Sequence, residues 1–374
     1  MRFGEGIIME FMLLEDCCEI LDSLRIPITA SDREKGIYPY YGANGIQDYV
    51  SSYIFDDDLV LLAEDGGSFG SKTKPIAYRV SGKCWVNNHA HVLKPKEGID
   101  VDFLCYSLMF YNTKGLVNGA TRQKLTQSAM RKMKIPKLHI DIQLDIVKEI
   151  KSVISIIDIR EKQLEKLSLL VRARFVEMFG DLKNTIRLGD CCKVHARIGW
   201  QALTRDEHMK TGEYMLVTGT DFIDGKINYN TCVYVTRERY EMDPHIILRE
   251  NDILITKDGS IGKVAIIHNL SKPATLNSGV FVVRPKDIFN KEYISGVFRG
   301  PLFEKFIELS KTGATIKHLN QKHLVEFRIP LPTLEKQEVF ARFSNQINKS
   351  KVEVQRALDE AQLLFDSLMQ KYFG

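Results

Sequence analysis

The chain contains one long internal repeat: the sequence pattern of the first half occurs again in the second half, at an offset of 194 residues. The identities at this offset between positions 119 and 143 are Gly119, Ala120, Thr121, Leu125, Gln127, Ile135, Pro136 and Gln143. The dipeptides that keep the same offset further along are Leu169-Leu170 with Leu363-Leu364, and Phe179-Gly180 with Phe373-Gly374. Upstream, the segment Leu14–Cys18 returns as Leu188–Cys192 with a drifted register. A duplicated sequence predicts a protein with pseudo-twofold symmetry. Such a protein suits a partner that itself has approximate twofold symmetry, such as duplex DNA.

Length and composition predict a globular protein of two or three domains. The 374 residues are 44% hydrophobic and 27% charged, an ordinary balance for folded domains. The net charge of +4 is compatible with nucleic-acid binding and is weak evidence for it. The seven cysteines include no Cys-x-x-Cys pair, so the sequence predicts neither a disulfide framework nor a zinc site. We expect the pairs Cys17-Cys18 and Cys191-Cys192 to be small buried residues.

The N-terminal apolar stretch is interrupted by Glu5, Glu10, Glu15 and Asp16. It therefore matches neither a signal peptide nor a membrane span. A cytoplasmic, thiol-reducing location is the expectation for a chain of this kind.

The chain alternates between mixed and helical segments. Segments 12–138 and 186–332 mix short apolar runs with Gly and Asn turns, whereas 139–180 and 333–374 read as helix, and we take these four ranges as the predicted domains. The apolar runs predict strands at Leu59–Ala63, His89–Pro95, Thr231–Thr236, Asp252–Thr256, Lys263–His268 and Gly279–Pro285. Together these features predict an α+β fold in two copies.

Both helical segments carry an apolar stripe with alternating spacings of four and three residues. The stripe of the first runs from Ile146 to Met178, and that of the second runs from Phe340 to Tyr372. The residues that interrupt the stripes are Arg160, Arg174, Ser344 and Lys351. A period of 3.5 residues is typical of a coiled-coil seam, and we expect the two helices to pair antiparallel as a spacer. The alternative is a pair of core helices within one globular domain.

Catalytic signatures are absent from the sequence. No P-loop, no Asn-Pro-Pro-aromatic methyltransferase motif, no His-Glu-x-x-His and no Gly-x-Ser-x-Gly occurs. His89 and His91 lie on one face of a predicted strand, but without a third ligand a satisfied core or surface role is favoured over a metal site. The sequence therefore predicts no catalytic and no metal residues, and favours binding over catalysis.

One pair of recurring loops is suited to polyanions. Segment Thr256–Lys263 offers Lys257, Ser260 and Lys263 around two glycines, which let backbone N–H groups approach a phosphate. Its counterpart Ala63–Lys74 keeps the Asp-Gly core and carries its lysines later in the loop. The alternative is an ordinary hairpin turn, for which Asp-Gly is well suited.

A second pair of recurring loops combines threonine, cations and amides, groups that contact phosphates and base edges. These loops are Asn118–Gln127 and Lys311–Asn320; the alternative is a helix N-terminal loop with a threonine cap. Segment Ala196–Glu207 is a third candidate, in which tryptophan is either a packing anchor or a groove contact. The candidate DNA-binding residues are Lys72, Lys74, Arg122, Gln123, Lys124, Arg197, Trp200, Gln201, Lys257, Ser260, Lys263, Lys317, His318 and Asn320.

The chain resembles the specificity subunit of type I restriction–modification systems over nearly its whole length. The resemblance rests on the duplicated order of mixed segment and long helix, and on the strings Lys257–His268, Thr312–Phe343 and, more weakly, Asn118–Val147. The run Ile-Pro-Leu-Pro, which leads into the helix in that family, is kept at Ile329–Pro332, whereas the first copy keeps only its leading Ile-Pro.

The resemblance implies two α/β target-recognition domains, each reading one half of a split double-stranded DNA target, and an antiparallel coiled coil that sets the gap. It implies two modification subunits docked on the helices, which carry S-adenosylmethionine and the adenine methyltransferase chemistry. Two restriction subunits with ATP and Mg²⁺ would complete the system, and this chain would bind no cofactor itself. Two other functions stay open: a DNA-binding protein without methyltransferase partners, and a coiled-coil scaffold.

Overall fold

The computed structural model describes residues 2–3, 7–8, 10–119, 122–198, 203–223, 225–312 and 319–374. The chain divides into two compact units, and each unit takes part of both long helices. The first unit comprises Met1–Glu161 and Arg356–Gly374, and the second comprises Lys162–Gln355. The predicted α+β class is confirmed, while the four domain limits given above stay predictions.

The first unit is built on a mixed sheet with the strand order β4-β9-β7-β8-β5-β6. Its strands are β1 (Arg2–Phe3), β2 (Ile7–Ile8), β3 (Phe11–Leu13), β4 (Cys18–Ile20), β5 (Lys35–Gly42), β6 (Gly45–Val50), β7 (Phe55–Ala63), β8 (Ala77–Val86), β9 (Ala90–Pro95), β10 (Val117–Asn118), β11 (Lys124–Leu125) and β12 (Lys134–Pro136). Its short helices are α1 (Leu14–Cys17), α2 (Val101–Met109) and α3 (Gln127–Arg131).

The second unit repeats the β4-β9-β7-β8 part of this sheet, with the strand order β14-β22-β19-β20. The long helix α4 (Ile140–Phe179) leads into it. Its strands are β13 (Thr185–Arg187), β14 (Cys192–Ala196), β15 (Tyr214–Val217), β16 (Phe222–Ile223), β17 (Lys226–Ile227), β18 (Val233–Val235), β19 (Ile253–Thr256), β20 (Val264–Ile266), β21 (Ala274–Leu276), β22 (Val280–Pro285) and β23 (Arg328–Pro330). Its helices are α5 (Leu188–Cys191), α6 (Arg237–Glu241), α7 (Lys291–Arg299), α8 (Pro301–Thr312) and α9 (Gln321–Glu326), and the last element of the chain is α10 (Leu334–Phe373).

Alternation along the central strands produces two core clusters in each unit. In β7, Val60 and Leu62 join the cluster that contains α2, whereas Leu59 and Leu61 face a second cluster on the other side of the sheet. Strand β19 of the second unit alternates in the same way between two clusters. Successive side chains of a strand point to opposite faces, so a run that is apolar at every position becomes a strand buried on both sides.

Each copy fixes the helix that follows its sheet by the same capping arrangement. The carboxylate of Asp100 accepts hydrogen bonds from the first N–H groups of α2, and the Asn290 side chain does the same for α7. The backbone N–H groups of Asp100 and Asn290 in turn donate to Oε1 of Gln143 and Gln337, at 2.9 and 2.8 Å. These caps satisfy N–H groups that a helix leaves unpaired at its start.

The two long helices pair antiparallel, as the contacts within each unit show. In the first unit, the hydroxyl of Tyr372 near the end of α10 donates to Oε2 of Glu149 near the start of α4, at 2.5 Å. In the second unit, the ring of Phe175 near the end of α4 meets the ring of Phe340 near the start of α10, with centroids 5.4 Å apart. The predicted seam residues are buried or half-buried along both helices.

Other sequence-based expectations can also be compared with the structure. All seven cysteines are buried, as expected for the two cysteine pairs. None of the helices in the described part of the chain combines the length and the apolar composition that crossing a bilayer requires.

Candidate nucleic-acid interface

The two recurring loops of the first unit lie against each other. The backbone N–H of Leu125 donates to the carbonyl of Glu64 at 2.7 Å, and Asp65 pairs with Lys124 in an isolated β-bridge. Loop Ala63–Lys74 and loop Asn118–Gln127 therefore share one surface, although the sequence analysis treated them as separate candidates for DNA binding. We call this surface the first-unit loop pair.

Two of its cations already have carboxylate partners. Nη2 of Arg122 lies 2.7 Å from Oδ1 of Asp65, and Nζ of Lys124 lies 3.0 Å from Oε1 of Glu64. Burial raises the pKa of Glu64, but hydrogen bonds from Arg25 and Lys124 outweigh it, and the net pKa is lowered. Both cationic side chains remain exposed, and exposed ion pairs are weak enough to be exchanged for a phosphate contact.

The other three candidates of this surface are exposed. Lys72, Lys74 and Gln123 all lie at the surface, and the ion pairs found among the described residues include neither lysine. The hydroxyl of Ser71 accepts hydrogen bonds from the N–H groups of Thr73 and Lys74, at 3.2 and 2.9 Å, which fixes the turn between the lysines. The two ammonium groups are therefore available to a polyanion.

In the second unit, Thr256 organises the corresponding loop. Its hydroxyl donates to the carbonyl of Ser260 at 2.5 Å and accepts from the N–H of Lys263 at 3.0 Å. Gly259 and Gly262 have φ values of 64° and 88°, in the left-handed region that glycine adopts without strain. The turn interpretation is thus correct, and the turn presents Ser260 and Lys263 as exposed side chains.

Lys257 has a more enclosed position in the same loop. Its N–H donates to the carbonyl of Gly279 at 2.9 Å, and its carbonyl accepts from the N–H of Leu319 at 2.8 Å. The second of these bonds is equivalent to the bond from Leu125 to Glu64 in the first unit. The ammonium of Lys257 stands 5.5 Å from the ring centroid of Phe281, so only part of this side chain is available to a ligand.

Asn320 is a helix cap in this structure. Its side-chain oxygen accepts from the N–H of Lys322 at 3.0 Å at the start of α9, and Thr126 caps α3 at the equivalent position of the first unit. The alternative interpretation of these segments as helix N-terminal loops is therefore supported at both positions. The candidates that lie outside the described residues are Trp200, Gln201, Lys317 and His318.

Arg197 is a correction to the sequence analysis, because it is not a surface residue. Its side chain is only 2% exposed, Nε donates to the carbonyl of Leu276 at 2.8 Å, and Nη2 donates to Oγ1 of Thr275 at 3.2 Å. These partners come from β21 and its C-terminal end, about 80 residues away in the sequence. Arg197 therefore has a structural role that no local pattern indicates.

The structure places His91 in a buried polar cluster that the sequence did not reveal. Nδ1 of His91 lies 2.6 Å from Oδ2 of Asp22, and Nε2 lies 2.9 Å from the carbonyl of Leu125. Potential ligand atoms of Asp22, Glu64 and His91 lie within 4.8 Å of one another, a spacing that a metal ion could use. Arg25 already pairs with Glu64 at 2.7 Å and lies 3.5 Å from Asp22, so it supplies the positive charge of the cluster.

This cluster ties the first-unit loop pair to the sheet. Burial raises the pKa of Asp22, but the interactions with His91, the N–H of Val92 and the charge of Arg25 lower it by more. The net shift of the pKa is therefore downward. The side chain of Gln127 donates to the same carboxylate at 3.0 Å. Asp22 thus anchors the C-terminal end of loop Asn118–Gln127 to the buried strand β9, because His91 contacts the carbonyl of Leu125 and Gln127 contacts Asp22 directly.

A tyrosine-rich surface in the first unit was also missed. The rings of Tyr38 and Tyr53 lie 5.1 Å apart, and the ammonium of Lys83 stands 4.7 Å from the centroid of Tyr53. Tyr49 and Tyr53 are exposed. Aromatic rings beside a cation can stack on bases and contact phosphates, and the clustered tyrosines between residues 38 and 53 were the sequence signal for it.

Comparison with protein families gives one match, which covers both copies. The model of the family described as "Type I restriction modification DNA specificity domain" matches residues 8–169 and again residues 181–361. Both matched ranges contain one mixed segment and most of one long helix.

Similar proteins of known description agree with this match. A putative type I restriction enzyme specificity subunit of Haemophilus influenzae is 26% identical over 354 residues, covering 89% of this chain and 86% of the relative. The type I restriction enzyme MjaVIII specificity subunit of Methanocaldococcus jannaschii is 21% identical over 371 residues, covering 89% of this chain and 84% of the relative.

Solved structures share the fold over the whole length. The crystal structure of the S subunit of a type I restriction–modification system from M. genitalium superposes with a TM-score of 0.53 at 14% identity, covering 100% of this chain and 98% of the other. A chain from a study of assembly and conformational transition of the type I system gives a TM-score of 0.58 at 15% identity, covering 100% and 99%. At these identities the likeness concerns the fold.

Proposed function

We propose that this chain, which belongs to the type I restriction–modification DNA specificity family, reads a bipartite double-stranded DNA target. In this proposal each mixed segment recognises one half of the target, and the paired helices set the gap between the halves. The chain itself performs no chemistry. It directs modification subunits to the site, and restriction subunits join them in the complete system.

The observation that carries the DNA-binding part is the equivalent placement of cationic loops in both units. Each unit joins its two recurring loops through one backbone hydrogen bond, Leu125 to Glu64 at 2.7 Å and Leu319 to Lys257 at 2.8 Å. On these loops the exposed cations include Lys72, Lys74 and Lys263. Lysines beside backbone N–H groups neutralise phosphates, which supplies most of the sequence-independent affinity for DNA.

A target in two unlike halves follows from the differences between the units. Near the shared backbone bond, the first unit has Glu64 and His91 where the second has Lys257 and Phe281. The first unit therefore presents cations balanced by carboxylates, whereas the second presents a lysine packed on a ring. Different side chains at equivalent positions favour different half-sites.

The partner-docking part is supported by apolar residues that the helices leave exposed. Leu169 and Leu170 are 55% and 47% exposed, and the equivalent Leu363 and Leu364 are 69% and 49% exposed. Each pair recurs in the duplication, yet neither contributes to the seam. Other exposed apolar residues on the two long helices are Ile142, Leu144, Ile156, Ile159, Val176, Leu334, Val339 and Val352. Exposed apolar surface of this extent is typical of protein interaction sites.

In this proposal, two modification subunits bind these helices and carry S-adenosylmethionine, and two restriction subunits carry ATP and Mg²⁺. The cofactors thus belong to the partners. The test is to purify the chain with and without its modification subunits and to measure binding to duplex DNA and methyl transfer. We expect salt-dependent binding to duplex DNA, methylation by the complex and none by the chain alone. Methyl transfer by the isolated chain would overturn the non-catalytic assignment.

A further inference from the structure

The second unit contains a cavity of about 1110 Å³ bordered by α4, α7, α8 and α10. Its α10 wall carries Ser344, Asn348 and Lys351, which follow one another at spacings of four and three residues. Residues at these spacings share one face of a helix. Arg299, the last residue of α7, also lines this cavity.

The equivalent positions of the first copy are all apolar. At the repeat offset of 194, Ser344, Asn348 and Lys351 correspond to Ile150, Ile154 and Ile157. Helices α2 and α7 have the same length and the same cap, so Arg299 at the end of α7 corresponds to Met109 at the end of α2.

Those four apolar residues belong to the first unit's core, where Ile150 is fully buried and the others pack against the same cluster. The fold therefore accepts apolar side chains at these four positions, and the second copy has polar or charged side chains at all of them. Because all four positions change from apolar to polar or charged in one copy only, we infer that they have a role in that copy alone.

A third cation, Lys226, adjoins the part of the cavity that Arg299 occupies. The side chain of Arg299 is held by a hydrogen bond of 2.7 Å from Nη2 to the carbonyl of Gly225, and Gly225 precedes Lys226. Burial lowers the pKa of Lys351, and the charges of Arg299 and Lys226 lower it further.

Three of the carboxylates that border the same cavity have partners of their own, and Glu165, Asp287, Glu292 and Glu308 border it as well. Asp252 pairs with Arg284 at 2.7 Å, and Glu304 pairs with Arg172. Glu250 accepts hydrogen bonds from the N–H groups of Asn269 and Leu270, at 3.1 and 3.3 Å. Arg299 and Lys351 line the cavity together with the hydroxyl of Ser344 and the amide of Asn348. Cations with such donors beside them favour an anion that carries more than one charge and several acceptor oxygens.

We propose that Arg299 and Lys351 form an anion site for a phosphate group in this cavity, with Ser344 and Asn348 as additional donors and Lys226 as a neighbouring positive charge. The cavity exceeds the size of one phosphate ion, so the group can belong to a small phosphorylated molecule or to the backbone of bound DNA. The anion removes the mutual repulsion of the cations and therefore stabilises the folded chain when it binds. The recurring loop Thr256–Lys263 borders the same cavity through Ile261 and Gly262, but none of the proposed anion contacts belongs to that loop.

The experiment measures binding of inorganic pyrophosphate to the full chain by calorimetry and by the shift in Tm. The test variant is Lys351→Ile with Arg299→Met, which installs the residues of the first copy. The matched control is Lys349→Ile, which removes one charge from an exposed position of the same helix outside the cavity lining. If the double variant does not fold, Lys351→Gln removes the charge and keeps a polar side chain.

We expect pyrophosphate to bind the unmodified chain and to raise its Tm, and the test variant to bind about tenfold more weakly or worse. The control should bind as the unmodified chain does. At low ionic strength without pyrophosphate, the test variant should melt higher than the unmodified chain, because the repulsion is gone. Absence of pyrophosphate binding by the unmodified chain, or equal binding by the test variant, would overturn the site.

A second arm distinguishes the two sources of the phosphate. If DNA supplies it, the test variant should also show a shallower dependence of DNA affinity on salt, by about one for each cation removed. If a small molecule supplies it, pyrophosphate binding is lost and the salt dependence of DNA binding is unchanged. The pyrophosphate arm contains no DNA, so its result stands whether or not the proposed target recognition is correct.

Discussion

Gln143 and Gln337, which are separated by the repeat offset of 194 residues, make equivalent hydrogen bonds at the starts of the two long helices. Nε2 of Gln143 donates to the carbonyls of Gly98 and Leu138 at 3.0 and 2.9 Å. Nε2 of Gln337 donates to the carbonyls of Ile288 and Pro332 at 3.3 and 3.2 Å. Both side chains are buried. Each glutamine therefore joins its long helix to the loop that precedes the capped helix of the same unit.

Replacing either glutamine should destabilise the unit that contains it. Gln337→Ala leaves the N–H of Asn290 and two carbonyls without their partner, and unsatisfied buried groups of this kind cost roughly 2–4 kcal/mol together. The free energy of unfolding, measured by denaturant titration, should fall by about that amount. Gln143→Ala is the matched change in the first unit. A loss of unfolding free energy below about 0.5 kcal/mol in both variants would contradict the stabilising role of these glutamine hydrogen bonds.

Lysines of the second-unit loop should control the salt dependence of DNA binding. Lys257→Ala combined with Lys263→Ala removes two positive charges, so the slope of log affinity against log salt should become shallower by roughly one to two. The matched control is Lys336→Ala with Lys349→Ala, since both lysines are exposed on α10. Binding of duplex DNA would be measured at several salt concentrations. An unchanged slope in a folded test variant would remove this loop from the interface.

The exposed leucine pair of α10 should be needed for partner binding. Leu363→Glu with Leu364→Glu places charge on a surface that we propose to be covered by a modification subunit, and affinity for that subunit should fall about tenfold or more. The Tm should change little, because both leucines are exposed. Lys349→Glu, which adds a negative charge elsewhere on α10, serves as the control. Co-purification of both variants at equal yield would place the docking surface elsewhere.

Shortening both helices by one heptad should change the gap between the half-targets. Deletion of Ile157–Gln163 together with Val354–Glu360 preserves the phase of the seam and shortens each helix by roughly 10 Å. A rigid spacer would then lose about three base pairs of DNA, and one half-site would rotate by roughly 100°. Sequencing of methylated sites should reveal a shorter gap with unchanged half-sites. An active complex with the original gap would show that the helices serve for docking only.

The parts of the structure that were predicted correctly depend on local or periodic patterns. Helices α4 and α10 follow from the seam spacing, and strands such as β7 and β22 follow from apolar runs bounded by turns. The position of Arg197 was not predictable, because its burial depends on carbonyl and hydroxyl partners supplied by a distant part of the chain. Asp22 and Glu64 likewise carry no local sign that they meet His91.

The residues that interrupt the seam pattern were visible in the sequence, but the sequence did not show that they line a cavity. Ser344 and Lys351 read as interruptions of an apolar stripe, and Ser344 is buried as a seam residue is. Only the three-dimensional arrangement brings them to the same cavity as Arg299, which belongs to a different helix. These interruptions of the periodic pattern therefore mark positions that line a cavity.

The most direct test of the account is to map methylated bases in cells that express this chain with its modification subunits. We predict methylated adenines within one motif made of two short sequences separated by a fixed gap. The same measurement on a chimera, in which residues 188–330 are replaced by the corresponding segment of another family member, should change one half of that motif and preserve the other. A contiguous motif, or a chimera that methylates with both halves changed, would contradict the claim that the two units read DNA independently.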